Sequence, residues 1–487
     1  MNDSAADGDF KKDPTSEKLD IKTKLAYGAG DLGPAITSNI AIFFLLVFFT
    51  NVAGIPAGLA GSILMIGKIW DAVNDPVVGW LTDKTKSRRW GRRLPWLLYG
   101  AVPFGIFFFL QWIVPRFSDE PSNNIWPLFW YYVAIGVVSQ AFFTVVNLPY
   151  TAMTPELSQD YDERTSLNSF RFTFSIGGSI LSLILAQIVF SQIADPQQQY
   201  LVLAAICTVI SVLALYWCVF GTRDRIMAFE AKRIQLEEPP EIPFFEQLKI
   251  VFTNKPFLFV IAIYLFSWLG VQITASIIPY FVIYCMGLKN SEVPTVLIAV
   301  QATALLMLFV WSNLSKKIGK KLVYFLGMSV WIIAAAGLFF LKSNQVGLMY
   351  VMAIMAGVGV STAYLIPWSM IPDVIELDEL QTGQRREGIF YGFMVLLQKF
   401  GLAFGLFIVG NALQASGFKE VIAGQTILPI QPDSALLAIR IAVGPIPTIC
   451  LIIGLILTFF YPITREMHAE IMLKLQERRE NTGELSD

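Results

Sequence analysis

Four polar side chains interrupt an otherwise apolar stretch in KIWDAVNDPVVG: Lys68, Asp71, Asn74 and Asp75. Lys68 precedes Asp71 by three residues, and Asn74 and Asp75 follow it by three and four. On an α-helix that spacing puts all four on one face. Two carboxylates and an amide offer hard oxygens suited to a small cation. Without a cation, two acids this close push one proton affinity upward, so the pair is equally suited to hold a proton as a coupled unit. Thr144, three residues before Asn147, offers a further oxygen. A bare ion pair between Lys68 and Asp71 would leave Asp75 unexplained.

Two more cations lie in apolar surroundings, Arg171 in SLNSFRFTFSIGG and Lys399 in FMVLLQKFGLAFG. A charge at the centre of a bilayer costs at least about 2.5–3.5 kcal/mol, so such groups face a cavity and pair. Arg171 lies close enough to a helix end to snorkel. Lys399 is too central for that, and its natural partner is Asp71 or Asp75. A lysine of one half of the chain held by an aspartate of the other would couple the two. Asp31, in YGAGDLG, is open between an interfacial cap and a member of the site. The sole histidine, His468, falls in the C-terminal tail, which excludes a histidine proton relay. Cys207, Cys218, Cys285 and Cys450 lack metal-binding or CxxC spacing and read as small buried hydrophobes.

The composition says what must carry these residues. Of 487 residues 55% are hydrophobic and 15% charged, against about 25% charged in soluble domains. A soluble fold cannot hide that much apolar surface. A spanning helix needs about 20 apolar residues, and twelve such stretches centre near residues 40, 68, 104, 138, 180, 210, 270, 302, 331, 360, 402 and 447. The alternation of a membrane β-barrel is absent. Residues 1–24 lack the apolar core of a secretory signal. Basic residues concentrate in residues 1–24, 83–93, Arg164, 221–255, 315–321, Arg385/Arg386 and the C-terminal tail, whereas the opposite loops hold Arg116, Lys289, Lys342 and Lys419. Both termini are therefore expected in the cytoplasm. Trp112, Trp126, Trp130, Tyr131 and Tyr132 read as an interfacial belt.

The polar connection 221–255 divides the chain into six spans and six. The expected plan is a cytoplasmic tail (1–24), a six-helix bundle (25–220), the cytoplasmic central loop (221–255), a second bundle (256–461) and a cytoplasmic tail (462–487). The halves echo each other weakly. Gly79-Trp80-Leu81-Thr82-Asp83-Lys84 and a basic cluster follow span two, as Ser312-Asn313-Leu314-Ser315-Lys316-Lys317 and further lysines follow span eight. Pro149-Tyr150 and Pro155-Glu156 end span four, as Pro367-Trp368 and Pro372-Asp373 end span ten. The fold class expected is an all-α membrane protein of twelve transmembrane helices in two pseudo-symmetric six-helix bundles, the major facilitator architecture, with substrate near the midplane.

WDAVNDP, NLPY, PDVIELDELQTGQRREG and the lone lysine of span eleven together resemble the glycoside–pentoside–hexuronide:cation symporters, to which the melibiose carrier belongs. The resemblance runs from about Leu25 to Tyr461. It implies a cation site at Asp71, Asn74, Asp75 and Thr144 and coupling to sodium, with protons or lithium as alternatives. It also implies substrate or coupling roles for Lys68, Arg171 and Lys399. The galactoside-binding carriers have aspartates where this chain has Ala35 and Asn147 and a tryptophan where it has Thr151, so melibiose itself is not the expected substrate. Asp71 and Asp75 against Lys68, Arg171 and Lys399 leave one positive charge, which favours an anionic group such as a uronate. GRRLPW and WIVP are similar to the eukaryotic lysophospholipid carriers, which keeps an amphipathic anion open as the alternative substrate.

The expected function is cation-coupled symport of a small glycoside, pentoside or hexuronide by alternating access. Asn147, Arg171 and Lys399 would border the substrate, in a plasma (inner) membrane protein expected to be a monomer and to bind no nucleic acid. The intramembrane charges are too few and local for a channel lining. No nucleophile–base pair or metal cluster marks an enzyme, and no cofactor beyond the coupling ion is implied.

Overall fold

A computed structural model describes residues 18–85, 87–158, 161–233, 244–383, 386–421 and 428–481. Arg385, in the basic set above, and residues 1–17, 234–243 and 482–487 of the expected tails and central loop lie outside these. Twelve long helices follow one another, with no strand among the described residues. They are α1 (Ile21–Asn51), α2 (Ala57–Lys84), α3 (Leu94–Leu110), α4 (Pro121–Thr151), α5 (Tyr161–Gln192), α6 (Pro196–Arg233), α7 (Lys255–Cys285), α8 (Val293–Ile318), α9 (Lys320–Phe340), α10 (Val346–Thr382), α11 (Glu387–Ala415) and α12 (Asp433–Phe460). Ten of the twelve are long and apolar enough to cross a membrane. The exceptions are α3, which is apolar but has only 17 residues, and α2, whose middle carries the charges. Each of the twelve centres read from hydropathy falls within one of these helices. Prolines such as Pro34, Pro76 and Pro103 sit inside them, which packed membrane helices tolerate because neighbouring groups satisfy the freed carbonyls.

Two polar segments are more ordered than the sequence suggests. Residues 221–233, expected in the central loop, continue α6 without a break, and Phe244–Thr253 forms a short helix of its own. The reason is local and tertiary together. TRDRIMAFEAKR has neither glycine nor proline, and its Ile226 is buried beside Tyr27, Leu94 and Tyr150. The C-terminal tail is likewise a helix, Arg465–Asn481, docked through buried Ile471 and Leu475.

The even number of helices brings both ends of the described chain to one face, here called the terminal end. The two halves share one apolar core at the opposite, far end, where Phe48, Trp112 and Tyr200 of the first half join Phe281, Val282 and Phe418 of the second. Toward the terminal end the cores separate. Tyr27, Leu94, Tyr150 and Leu157 form one, and Phe257, Tyr324, Ile371 and Phe390 form another. Hydrogen bonds between the halves cluster at the far end: Thr50 Oγ1 with Tyr280 Oη at 2.7 Å, the Ala57 amide to Glu420 Oε1 at 2.9 Å, and Asn290 to Gln199 at 2.9 Å. There Gly61 of α2 and Gly410 of α11 bring their backbones into contact, and a Cβ on Gly410 would strike the Ala57 carbonyl.

The internal echo has a structural counterpart at the terminal end. Glu156, beyond α4, accepts from Arg92 at 2.9 Å and lies 3.1 Å from Arg93. In the second half Asp373 near the end of α10 holds Lys320 at 2.6 Å. In both halves a basic residue at or just before the start of the third helix therefore ties down an acid that follows a proline, Glu156 beyond the fourth helix and Asp373 within its counterpart.

Candidate functional site

The face of α2 that carries the chemistry is set by hydropathy. Trp70, Val73, Val77 and Trp80 recur at helical spacing and are exposed on the outside of the bundle. Burying Lys68, Asp71, Asn74 and Asp75 toward α4 and α11 is the complementary consequence. Asp71 and Asn74 are 2% and 8% exposed.

Around Asp71 and Asp75 the geometry is nearly symmetrical. Thr144 Oγ1 on α4 lies 2.9 Å from Asp71 Oδ1 and 3.0 Å from Asp75 Oδ1. A hydroxyl has a single proton to donate, so it serves one carboxylate while its oxygen crowds the other. Lys399 Nζ, on α11, is 2.5 Å from Asp75 Oδ2 and 3.0 Å from Asp71 Oδ2. Each aspartate thus turns one oxygen to Thr144 and the other to Lys399. The lysine of the second half is the counter-charge of the acid pair of the first. Two carboxylates could not lie this close without a cation between them or a shared proton, and the ammonium serves as that cation here.

The remaining predicted residues do not all converge. Asn74 directs its amide nitrogen at the Ala141 carbonyl of α4, 3.5 Å away and too long for more than a weak bond. It makes no hydrogen bond to either carboxylate among the described residues. Lys68, expected to balance Asp71, instead donates to Gln140 Oε1 at 3.2 Å and faces the Phe143 ring at 6.0 Å. The physical reason is that Lys399 reaches both acids from across the seam, so Lys68 turns to the nearest acceptor on α4. Asn147 is half-buried and has no side-chain hydrogen bond among the described residues.

Arg171 belongs to a second centre. Its Nε lies 3.3 Å from Asp31 Oδ2, and its guanidinium stands 5.7 Å from the Tyr150 ring. Asp31 is 7% exposed, so it is a member of the buried set and not an interfacial cap. The charge sum from the sequence needs correction accordingly. Asp31, Asp71 and Asp75 face Lys68, Arg171 and Lys399, and the charges of these six side chains balance. The signal was present as a third acid within an apolar run, but its partner is 140 positions away.

His468 was also placed too simply. It lies outside the spans but pins the C-terminal helix to α10, with Nε2 2.6 Å from Glu376 and 3.4 Å from Asp373. These three could in principle ligate a metal, but the Lys320 ammonium already fills the space beside Asp373.

Comparison with known proteins agrees with this architecture. Residues 26–465 match the family model of MFS/sugar transport proteins. An uncharacterized symporter of Synechocystis sp. (sll1374) is 52% identical over 96% of this chain and 98% of its own length. The sodium-dependent lysophosphatidylcholine symporter 1 of Gallus gallus is 30% identical over 97% of this chain and 92% of its own. Among solved structures, the nucleoside transporter NupG superposes with a TM-score of 0.61 over 91% of this chain and 98% of that one, at 12% identity. The xylose transporter XylE of E. coli gives 0.60 with the same coverage and identity. These last two speak to the fold alone. With the helices, their two halves and the matched length in agreement, the chain is an integral membrane protein that belongs to the MFS/sugar transport protein family.

Proposed function

We propose that the protein is a cation-coupled symporter in which Asp71, Asp75 and Thr144 form the ion site, with sodium as the favoured ion and a proton as the alternative. One observation carries this reading: an acid pair in the first half is held by Lys399 of the second. A cation entering between the carboxylates would compete with the ammonium for the same oxygens, which turns ion binding into a change at the seam. Asn74 would complete the site by rotating its amide, so that its Oδ1 joins the carboxylates. The names of the relatives, a symporter and a sodium-dependent symporter, support the coupling.

In this reading the far end is closed and the terminal end is the open one. Basic residues crowd the terminal end, and on the positive-inside tendency that end is cytoplasmic, in a plasma (inner) membrane. The substrate would occupy the space bordered by Asn147, Arg171 and Lys399. A small glycoside, pentoside or hexuronide fits the resemblance of the motifs. A lysophospholipid is the second reading, favoured by the relatives named for lysophosphatidylcholine transport. Lys68, anchored to Gln140, would act in coupling by adding positive charge beside Asp71.

The test is uptake into proteoliposomes with and without a sodium gradient, for a glucuronide and for lysophosphatidylcholine. Sodium-stimulated uptake of either is expected in the wild type and absent in Asp75→Cys. Undiminished stimulation in both Asp75→Cys and Asp71→Cys would overturn the ion site.

A further inference from the structure

The Asp31–Arg171 pair invites a question that the ion site does not answer. Both residues belong to the first half, so their contact does not depend on how the halves stand to one another. Arg171 spends only its Nε on Asp31, at 3.3 Å, and its two Nη groups have no partner among the described residues. The side chain keeps 23% of its surface, and Asp31 keeps 10%. A guanidinium held by one edge presents the remaining N–H groups as a fork suited to a carboxylate or phosphate. Tyr150 backs it, with its ring 5.7 Å from the guanidinium carbon and its own hydroxyl tied to the Tyr27 carbonyl at 2.8 Å. Asp31 therefore does two things at once, fixing the direction of the fork and cancelling its charge.

Cancellation matters because the charges of the six side chains at the two centres, Asp31, Asp71, Asp75, Lys68, Arg171 and Lys399, sum to zero only when Asp31 is counted. In a medium of low polarity an added anion then has no standing positive charge to meet, and it is admitted when a cation enters with it. Remove the Asp31 charge, and one positive charge stands permanently beside the fork.

We infer that Asp31 is a positioning and specificity-determining residue: it orients Arg171 toward a single anionic oxygen group of the substrate and makes acceptance of that group depend on the cation. The inference rests on the symport reading above. It names the shared chemistry of the two substrate classes, a carboxylate in a uronide and a phosphate in a lysophospholipid.

The experiment uses the full-length chain purified in detergent, with melting temperature as readout, since a ligand that binds the folded state raises it. Titrations with p-nitrophenyl glucuronide and with lysophosphatidylglycerol, both net anions, are run in NaCl and in KCl. For the wild type, whichever probe binds is expected to need sodium. Asp31→Asn keeps the size of the side chain and an oxygen for Arg171 Nε, and it is expected to bind that probe in KCl about tenfold more tightly than the wild type. The double variant Asp31→Asn/Arg171→Gln, balanced again, is expected to lose the KCl binding. A purely structural role for Asp31 would lower the melting temperature without moving the ion requirement. Equal probe midpoints in KCl for Asp31→Asn and wild type, including no shift in either, overturn the inference. A double variant that binds as Asp31→Asn does overturns the role of Arg171. Failure of the symport reading is seen separately, as uptake without sodium stimulation in the wild type.

Discussion

Two buried acid–base centres lie in this molecule, and they differ in what they join. Asp71 and Asp75 reach Lys399 across the seam between the halves, Asp75 over 324 positions of sequence. Asp31 and Arg171 meet inside one half. A contact across the seam must be remade if the halves move, whereas a contact within one half travels with it. The first arrangement suits a group whose pairing reports ion occupancy. The second suits a fixed feature of the cavity wall. Chemically similar pairs thus acquire different uses from the topology that holds them.

The comparison breaks most sharply at the acid pair. Asp75→Asn or Asp71→Asn is expected to abolish sodium-stimulated uptake in proteoliposomes, a loss on the order of 100-fold, because a charge-assisted ligand is replaced by a neutral one. Membrane insertion, checked by yield and chromatographic profile, should be retained. Lys399→Val comes next. Without the competing ammonium the acid pair has no counter-charge but the ion, so sodium is expected to stabilise the purified protein more than in the wild type while uptake falls about tenfold or more. Unchanged uptake would remove Lys399 from coupling.

The pair within one half is expected to fail differently. Arg171→Gln strands Asp31, a carboxylate that is 7% exposed, and breaking such a buried pair costs about 3 kcal/mol. The melting temperature should drop, and Asp31→Asn in the same chain should recover most of it. At the ion site, Thr144→Ala removes one neutral oxygen beside both acids and should weaken apparent sodium affinity about fivefold, as the loss of a contact worth about 1 kcal/mol would. The smallest effect is at the far end. Tyr280→Phe deletes the 2.7 Å contact with Thr50, worth about 1 kcal/mol. It should shift the population toward opening at that end, seen as faster labelling of a cysteine placed at buried Ala53 in the Tyr280→Phe background than in the otherwise wild-type chain.

Much of this was legible in the residues. The twelve helices followed from runs of apolar side chains, and the polar stripe on α2 from spacings of three and four. Lys399 had to find a carboxylate, since so central a lysine has no other escape from the membrane interior. What could not be read was choice among partners. Lys68 had Asp71 one turn away and still took Gln140 of α4. Arg171 had no acid near it in sequence and took Asp31 of α1. The expected positive cavity vanished with that one contact. His468 and the helix Arg465–Asn481 were unremarkable as a tail, and only docking on α10 made the histidine a tether.

By itself, then, the sequence determined which segments are helical spans, that they fall into two related sets of six, and that Asp71, Asp75 and Lys399 lie within them. Those are properties of neighbours along the chain, governed by hydropathy and helical period. The tertiary structure decided which charges meet, that those of the two centres balance, and that the halves share a core at one end and keep separate ones at the other. Those depend on how helices distant in sequence pack, because ion pairs act over a few ångströms in space whatever the number of residues between them.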